Sequence, residues 1–281
     1  MKYLLGLIGH PVAHSLSPSI HCAALQYCGL EGSYELIDLL PGQLKEGIER
    51  LFESGFSGFN VTIPHKKAVF DLASERTPEA LAANASNTIR ILADGRLLAH
   101  NTDIEGFREA LEQVLPLPAA SCCILGTGGA AKAALLALAP TGPDQVIVLS
   151  RQMSTAAALV AEMQPQFPTP SHLVASTHLE LRGDERFDLI VNCSPIGQNG
   201  LPLPVWIEEV IDRLDRDGLF FDMVYAKKEE VTPLVELVRK YDKRAVDGTE
   251  MLIRQARKSF QFWTGQSPPV EVFRAALSAA R

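Results

Sequence analysis

The amino-acid sequence predicts an α/β protein of two domains, and three observations carry that prediction. Short apolar runs rich in β-branched residues alternate with stretches whose apolar residues recur at helical spacing, the pattern of parallel strands with covering helices. One run, residues 121–125, passes directly into a glycine-rich turn and then a helix. The length of 281 residues holds about two cores of ordinary size.

Composition narrows the function classes. Hydrophobic residues make up 47% of the chain and charged ones 21%, enough to bury a substantial core. The net charge of -7 offers no basic surface for nucleic acid or an anionic membrane. No apolar run reaches the roughly 18 residues of a spanning helix, and residues 1–9 read as a first strand rather than a signal peptide. The cysteines, Cys22, Cys28, Cys122, Cys123 and Cys193, are odd in number and lack a CxxC pair, so a reducing cytoplasm is expected.

In the first segment, residues 1–102, residues 3–8 read as a buried strand ended by Gly9-His10-Pro11. Ser17 before Pro18 suits a helix N-cap; equally, the Ser15 and Ser17 hydroxyls could receive a carboxylate at that helix mouth. Residues 34–39 form a second strand candidate and residues 41–54 a helix with Leu44, Ile48 and Leu51 on one face. Residues 59–63 form a third strand, cut off by Pro64, so Lys66 lies just past a strand end. Lys66 is either a solvated surface lysine beside Lys67 or, in a partly desolvated cleft, a group able to trade a proton near neutral pH. Residues 87–91 and 96–100 flank Asp94-Gly95, a two-residue hairpin signal. Asp103 follows, ahead of a helix over 104–114, and could serve only as its N-cap. The histidines His10, His14, His21, His65 and His100 make no helical HExxH pair, so no metal is expected.

The second segment, residues 103–249, opens past a loop at 116–118. Strand 121–125 leads into Gly126-Thr127-Gly128-Gly129-Ala130-Ala131 and a helix over 132–138. Gly126 allows the tight turn, Gly128 and Gly129 allow close approach, and the helix N-terminus faces a pyrophosphate. Strand 146–149 ends at Ser150-Arg151-Gln152, a cation where NAD-binding chains place an acid; Arg151 favours NADP or is simply solvent-facing. Further strands, 187–193 and 219–224, end at Ser194 and at Met223 and Tyr225, on the side where open parallel sheets bind ligands. The tail, 250–281, reads as helical, broken at Pro268-Pro269.

Six motifs occur together and in order: Gly9-x-Pro11 with His14-Ser15-x-Ser17-Pro18; Asn60-Val61-Thr62-x-Pro64-x-Lys66; Asn87-Thr88; Asn101-Thr102-Asp103; the glycine turn at 126–131; and residues 248–255, Gly248 to Gln255. In this the chain resembles the shikimate dehydrogenase family over almost its whole length. The resemblance implies a substrate domain, 1–102 plus about 250–281, whose C-terminal helices return to it, and a Rossmann-type NADP domain, 103–249. It implies a cytoplasmic enzyme of aromatic amino-acid biosynthesis, monomer or homodimer, that reduces 3-dehydroshikimate to shikimate with NADPH. Lys66 and Asp103 would be the catalytic pair; Ser15 and Ser17 would hold the substrate carboxylate, and Thr62, Asn87, Tyr225 and Gln255 its other groups. Gly126, Thr127, Gly128, Gly129, Ala130, Ser150, Arg151, Ser194, Met223 and Gly248 would line the cofactor. Closure between the domains would exclude water.

Thr155 departs from the family pattern, standing where a second cation often faces the 2′-phosphate, as do Cys22, Ala85-Ser86 and Glu250 at other positions. Two rivals remain open: a quinate/shikimate dehydrogenase using NAD or both cofactors, and a non-catalytic sensor of nucleotide and metabolite. A methylenetetrahydrofolate dehydrogenase fits less well, since it lacks the paired serines.

Overall fold

The computed structural model describes residues 2–116, 119–181, 185–198, 202–226 and 231–281, so Leu117 and Pro118 of the expected loop lie outside them. Contacts divide the chain into two compact units, Met1–Gly106 with Ile253–Arg281, and Phe107–Leu252. Asp103, at the head of the second segment in sequence, therefore packs with the first unit.

In the first unit the chain runs β1 Tyr3–Gly9, α1 Ser17–Tyr27, β2 Gly32–Asp38, α2 Leu44–Glu53, β3 Gly58–Val61, α3 Lys66–Leu72, β4 Glu75–Arg76, α4 Pro78–Ala83, β5 Thr88–Ile91, β6 Leu97–His100 and the start of α5 Asp103–Leu111, which from Phe107 on counts with the second unit. The sheet order is β2-β1-β3-β5-β6-β4, parallel across β2, β1 and β3 and antiparallel through β5 and β6. Strand β3 is buried at every position, as a central strand under helices must be. Its core packs Ile8, Phe59 and Ile89 with Leu44, Ile48 and Leu51 of α2. Those helix residues recur at three and four, so α2 lays one apolar face on the sheet.

Two local expectations are corrected. Ser17 is the first helical residue rather than the N-cap; Leu16 holds that position without a side-chain bond, and the Ser15 hydroxyl accepts the Ser17 N–H at 3.3 Å. The β5–β6 connection is a three-residue loop, Ala93 to Gly95, because the Leu92 N–H already pairs with the Arg96 carbonyl; Gly95 takes φ 81° there.

The second unit comprises β7 Ser121–Leu125, α6 Gly129–Leu138, β8 Gln145–Leu149, α7 Met153–Met163, β9 His172–Ser176, β10 Phe187–Asn192, α8 Trp206–Asp212, β11 Leu214–Asp222, α9 Pro233–Lys240 and β12 Arg244–Val246. Its sheet, β12-β11-β10-β7-β8-β9, is parallel throughout, and the chain order reverses between β7 and β10. That is the doubly wound nucleotide-binding order. The tail forms α10 Thr249–Thr264 and α11 Val270–Ala280; α11 packs on α1 within the first unit. Among the described residues no helix is long and apolar enough to cross a membrane.

Candidate active site

Strand β3 ends at Val61 and α3 begins at Lys66, so the lysine projects from a helix start just past a strand end. The Lys66 carbonyl accepts the Ser86 N–H at 3.0 Å, which fixes the backbone beneath the side chain. Thirty-seven residues on, the Asp103 carboxylate meets it: Lys66 Nζ donates to Oδ2 at 2.6 Å. Asp103 is the first residue of α5, and its N–H is held by the Asn101 side chain at 3.0 Å. It is buried, whereas the lysine side chain stays 26% exposed.

The other carboxylate oxygen, Oδ1, accepts from Asn87 Nδ2 at 2.8 Å. Asn87 Nδ2 also lies 3.4 Å from Gln255 Oε1, which α10 delivers. Gly106 makes this close approach possible, since a Cβ there would stand 2.9 Å from the Gln255 backbone nitrogen. Lys66, Asp103, Asn87 and Gln255 thus stand together in the first unit. Ser15 and Ser17 meet each other at 3.1 Å at the start of α1, and Thr62 sits half-buried after β3, packed where Gly9 leaves no room for a Cβ.

Behind these residues lies a network that sequence reading did not identify. Asn60, Thr88, Thr102 and Ser259 are all buried, and their side chains bond one another. The Tyr34 hydroxyl donates to Asn60 at 2.8 Å, and His21 stacks flat on the Tyr34 ring at 4.6 Å. Burial lowers the His21 pKa to about 3, against an opposing contact with the Asn60 side chain. The available signal was polar residues at core positions of β3 and β5, and a serine one helical turn after Gln255.

In the second unit the glycine turn follows β7. Gly126 takes φ 112°, a conformation glycine adopts freely, and a Cβ on it would press at 3.3 Å on the Cys193 and Ser194 backbone after β10. Gly128 and Gly129 face open space, and α6 begins there without a side-chain cap. A free helix N-terminus with no Cβ in front of it fits a phosphate. Thr127 and Ala130 complete this turn. Ser150 and Thr155 bond each other at 2.8 Å, and Arg151 is exposed without an ion pair among the described residues.

Beyond β10 and β11 the loops are braced by one carboxylate. Asp222 accepts from Asn192 at 2.9 Å, the Val224 N–H at 3.1 Å and Thr232 at 2.6 Å. Burial still raises its pKa to about 6. Ser194 spends its hydroxyl on Asn192 at 2.6 Å, Met223 lies 3.5 Å from Cys193, and Tyr225 is half-buried after β11. Gly248 is demanded by packing, since a Cβ there would overlap the Met223 carbonyl at 2.3 Å. Among the described residues no group of His, Cys, Asp or Glu stands in an arrangement that could hold a metal ion.

Comparison with known proteins places the chain in a family. Residues 7–89 match the shikimate dehydrogenase substrate binding domain and residues 248–277 the shikimate 5′-dehydrogenase C-terminal domain. A shikimate dehydrogenase (NADP(+)) from Magnetococcus marinus is 36% identical, over 96% of this chain and 93% of its own. The chain belongs to the shikimate dehydrogenase family. Family members share its fold: a shikimate dehydrogenase crystallised with NADP+ superposes with a TM-score of 0.88 at 34% identity, covering 99% of this chain and 95% of its own. A quinate dehydrogenase from Corynebacterium glutamicum in complex with NAD superposes with a TM-score of 0.86 at 30% identity, covering 99% of each chain.

Proposed function

We propose that the protein is an NADP-dependent shikimate dehydrogenase that interconverts 3-dehydroshikimate and shikimate in aromatic amino-acid biosynthesis, with Lys66 and Asp103 as the proton-transfer pair. The 2.6 Å contact between these two side chains carries the assignment of roles. NADPH supplies the hydride. Reduction of the ring ketone leaves charge on the oxygen, and the Lys66 ammonium stabilises that charge and delivers the proton. Asp103, oriented by Asn87, holds the lysine and accepts a substrate hydroxyl. Asn87 and Gln255 offer amide groups beside the pair, Thr62 holds the ring, and the Ser15–Ser17 hydroxyls receive the substrate carboxylate.

For the cofactor, the helix N-terminus behind Gly128 and Gly129 receives the pyrophosphate, with Gly126, Thr127 and Ala130 shaping the turn. Arg151 meets the 2′-phosphate from the end of β8, next to Ser150, while Ser194, Met223 and Gly248 form the far wall. The free cysteines fit a cytoplasmic protein, acting as monomer or homodimer.

A second reading has a specific observation behind it. Thr155 is already engaged with Ser150 and carries no charge, so only Arg151 marks the 2′-phosphate, and quinate oxidation with NAD is the rival activity. Steady-state oxidation of shikimate and quinate, each with NADP and NAD, separates the two. Shikimate with NADP should give the highest kcat/KM; no turnover of shikimate overturns the assignment, and dominant quinate turnover with NAD replaces it.

A further inference from the structure

In the buried network behind the Lys66–Asp103 pair, backbone groups fix the orientation of both side-chain amides. The Thr102 backbone N–H, which can only donate, lies 2.8 Å from Asn87 Oδ1. That fixes the Asn87 amide with its oxygen toward Thr102 and its nitrogen toward Asp103. Asn60 is fixed by the same logic. Its Nδ2 faces the Asn87 carbonyl at 3.0 Å and must donate, and its Oδ1 accepts from the Tyr34 hydroxyl.

Between these two fixed amides stands the Thr88 hydroxyl. It faces Asn60 Nδ2 at 3.0 Å, from which it can only accept, and Asn87 Oδ1 at 3.0 Å, to which it can only donate. Its single proton is directed at Asn87 Oδ1, with Ser259 Oγ at 2.8 Å the competing acceptor. The Ser259 hydroxyl, from α10, has one proton and two acceptors within reach, Thr88 at 2.8 Å and the Gln255 carbonyl one turn earlier at 3.0 Å. Asn60 Nδ2 has two protons for three acceptors at 3.0 Å, the Asn87 carbonyl, Thr88 and Ser259, and shares them. Three donors converge on Asn87 Oδ1: the Thr102 N–H at 2.8 Å, the Thr88 hydroxyl at 3.0 Å and the Thr102 hydroxyl at 3.2 Å. The amide cannot turn without leaving buried donors unpaired.

We propose that the Thr88 hydroxyl, held by Ser259, is a positioning group for the Lys66–Asp103 pair, acting through the Asn87 amide. Thr88 and Ser259 are fully buried, so neither is a catalytic residue that touches substrate. They decide where Asn87 Nδ2 points, and Asn87 Nδ2 decides how the Asp103 carboxylate presents itself to Lys66. The inference rests on reading that pair as the proton-transfer pair.

The test isolates one hydroxyl at nearly constant shape. Thr88→Val removes it and keeps the branched side chain, whereas Thr88→Ser keeps it and loses a methyl. With shikimate and NADP, Thr88→Val should lower kcat roughly ten-fold, the scale on which a misdirected group costs rate, and leave KM for NADP within about two-fold. Thr88→Ser should retain kcat within about two-fold. In an Asn87→Ala background Thr88→Val should add almost nothing, since its route to Asp103 is gone. Ser259→Ala supplies the same reading from α10 if Thr88→Val does not fold. Equal kcat for the Val, Ser and wild-type proteins overturns the inference, as does full additivity with Asn87→Ala. A wild-type protein inert toward shikimate would instead sink the assigned reaction, and the inference with it.

Discussion

Lys66 and Asp103 meet as an ion pair that is half inside the protein, and such a pair is more informative about chemistry than about stability. An exposed ion pair such as Lys67–Asp71 on the same helix contributes little, because water screens it, whereas a carboxylate buried behind a lysine costs desolvation that something else must offset. On the proposed reading, Lys66→Ala removes both the cation and the proton donor. Turnover should fall roughly 10²- to 10⁴-fold while nucleotide affinity changes less than about two-fold. Stopped-flow assay of kcat, set beside nucleotide binding followed by fluorescence, checks this; near-normal turnover would remove Lys66 from the chemistry. Arg151 is the corresponding residue for cofactor choice. A charge-assisted contact to phosphate contributes about 2 kcal/mol, so Arg151→Ala should raise KM for NADP roughly thirty-fold and leave KM for NAD almost unchanged. Parallel titration of both cofactors decides it, and equal effects would show that Arg151 is not the phosphate contact.

At the scale of elements, α5 and α10 approach each other closely at Gly106. A methyl on Gly106 would sit 2.7 Å from the Gln255 Cβ and 3.0 Å from its Cα, so relief requires moving backbone. Gly106→Ala should therefore displace Gln255 and cost about 1–3 kcal/mol of stability, read as a lowered Tm together with a raised KM for shikimate. An unchanged Tm would show that α10 yields freely. Much of the element order was legible because it rests on local chemistry. The apolar run at β7 and the glycines after it can hardly form anything but a strand and a tight turn, and Pro64 stops β3. Less local features were not legible. Ser17 entered the helix rather than capping it because Ser15, two residues earlier, captured its N–H. The expected two-residue hairpin gained one residue because Leu92 and Arg96 pair before the turn begins. The network of Asn60, Thr88, Thr102 and Ser259 was invisible for a deeper reason. Hydroxyl and amide residues on strands look solvent-facing until register brings them together, and Ser259 is 171 residues from Thr88.

For the whole molecule, the two units carry buried titratable groups whose effects on stability run in opposite directions with pH. His21 in the first unit has a folded pKa of about 3, below its ordinary 6.5, because burial against Tyr34 and Trp263 penalises its charge. Between those values the unfolded chain binds a proton that the folded chain refuses. Its contribution is therefore fully present above pH 6.5 and is lost as pH falls toward 3, by on the order of 5 kcal/mol. Asp222 in the second unit is the reverse case. Burial raises it from 3.8 to about 6, so the folded chain holds a proton the unfolded chain has released. That contribution is full below pH 3.8 and is lost as pH rises through 6, by about 3 kcal/mol. Single substitutions that preserve shape separate the two. Asp222→Asn can keep all three contacts, because Thr232 can accept from an amide nitrogen where it now donates to a carboxylate. This variant should be more stable than wild type at pH 7 and lose the advantage near pH 4. His21→Phe keeps a flat ring against Tyr34 and should gain on wild type only as pH falls below 6.5. Thermal unfolding of the three proteins from pH 4 to 8 measures both differences. A difference between wild type and Asp222→Asn that does not change with pH would show that Asp222 does not titrate in this range, and a flat difference for His21→Phe would do the same for His21.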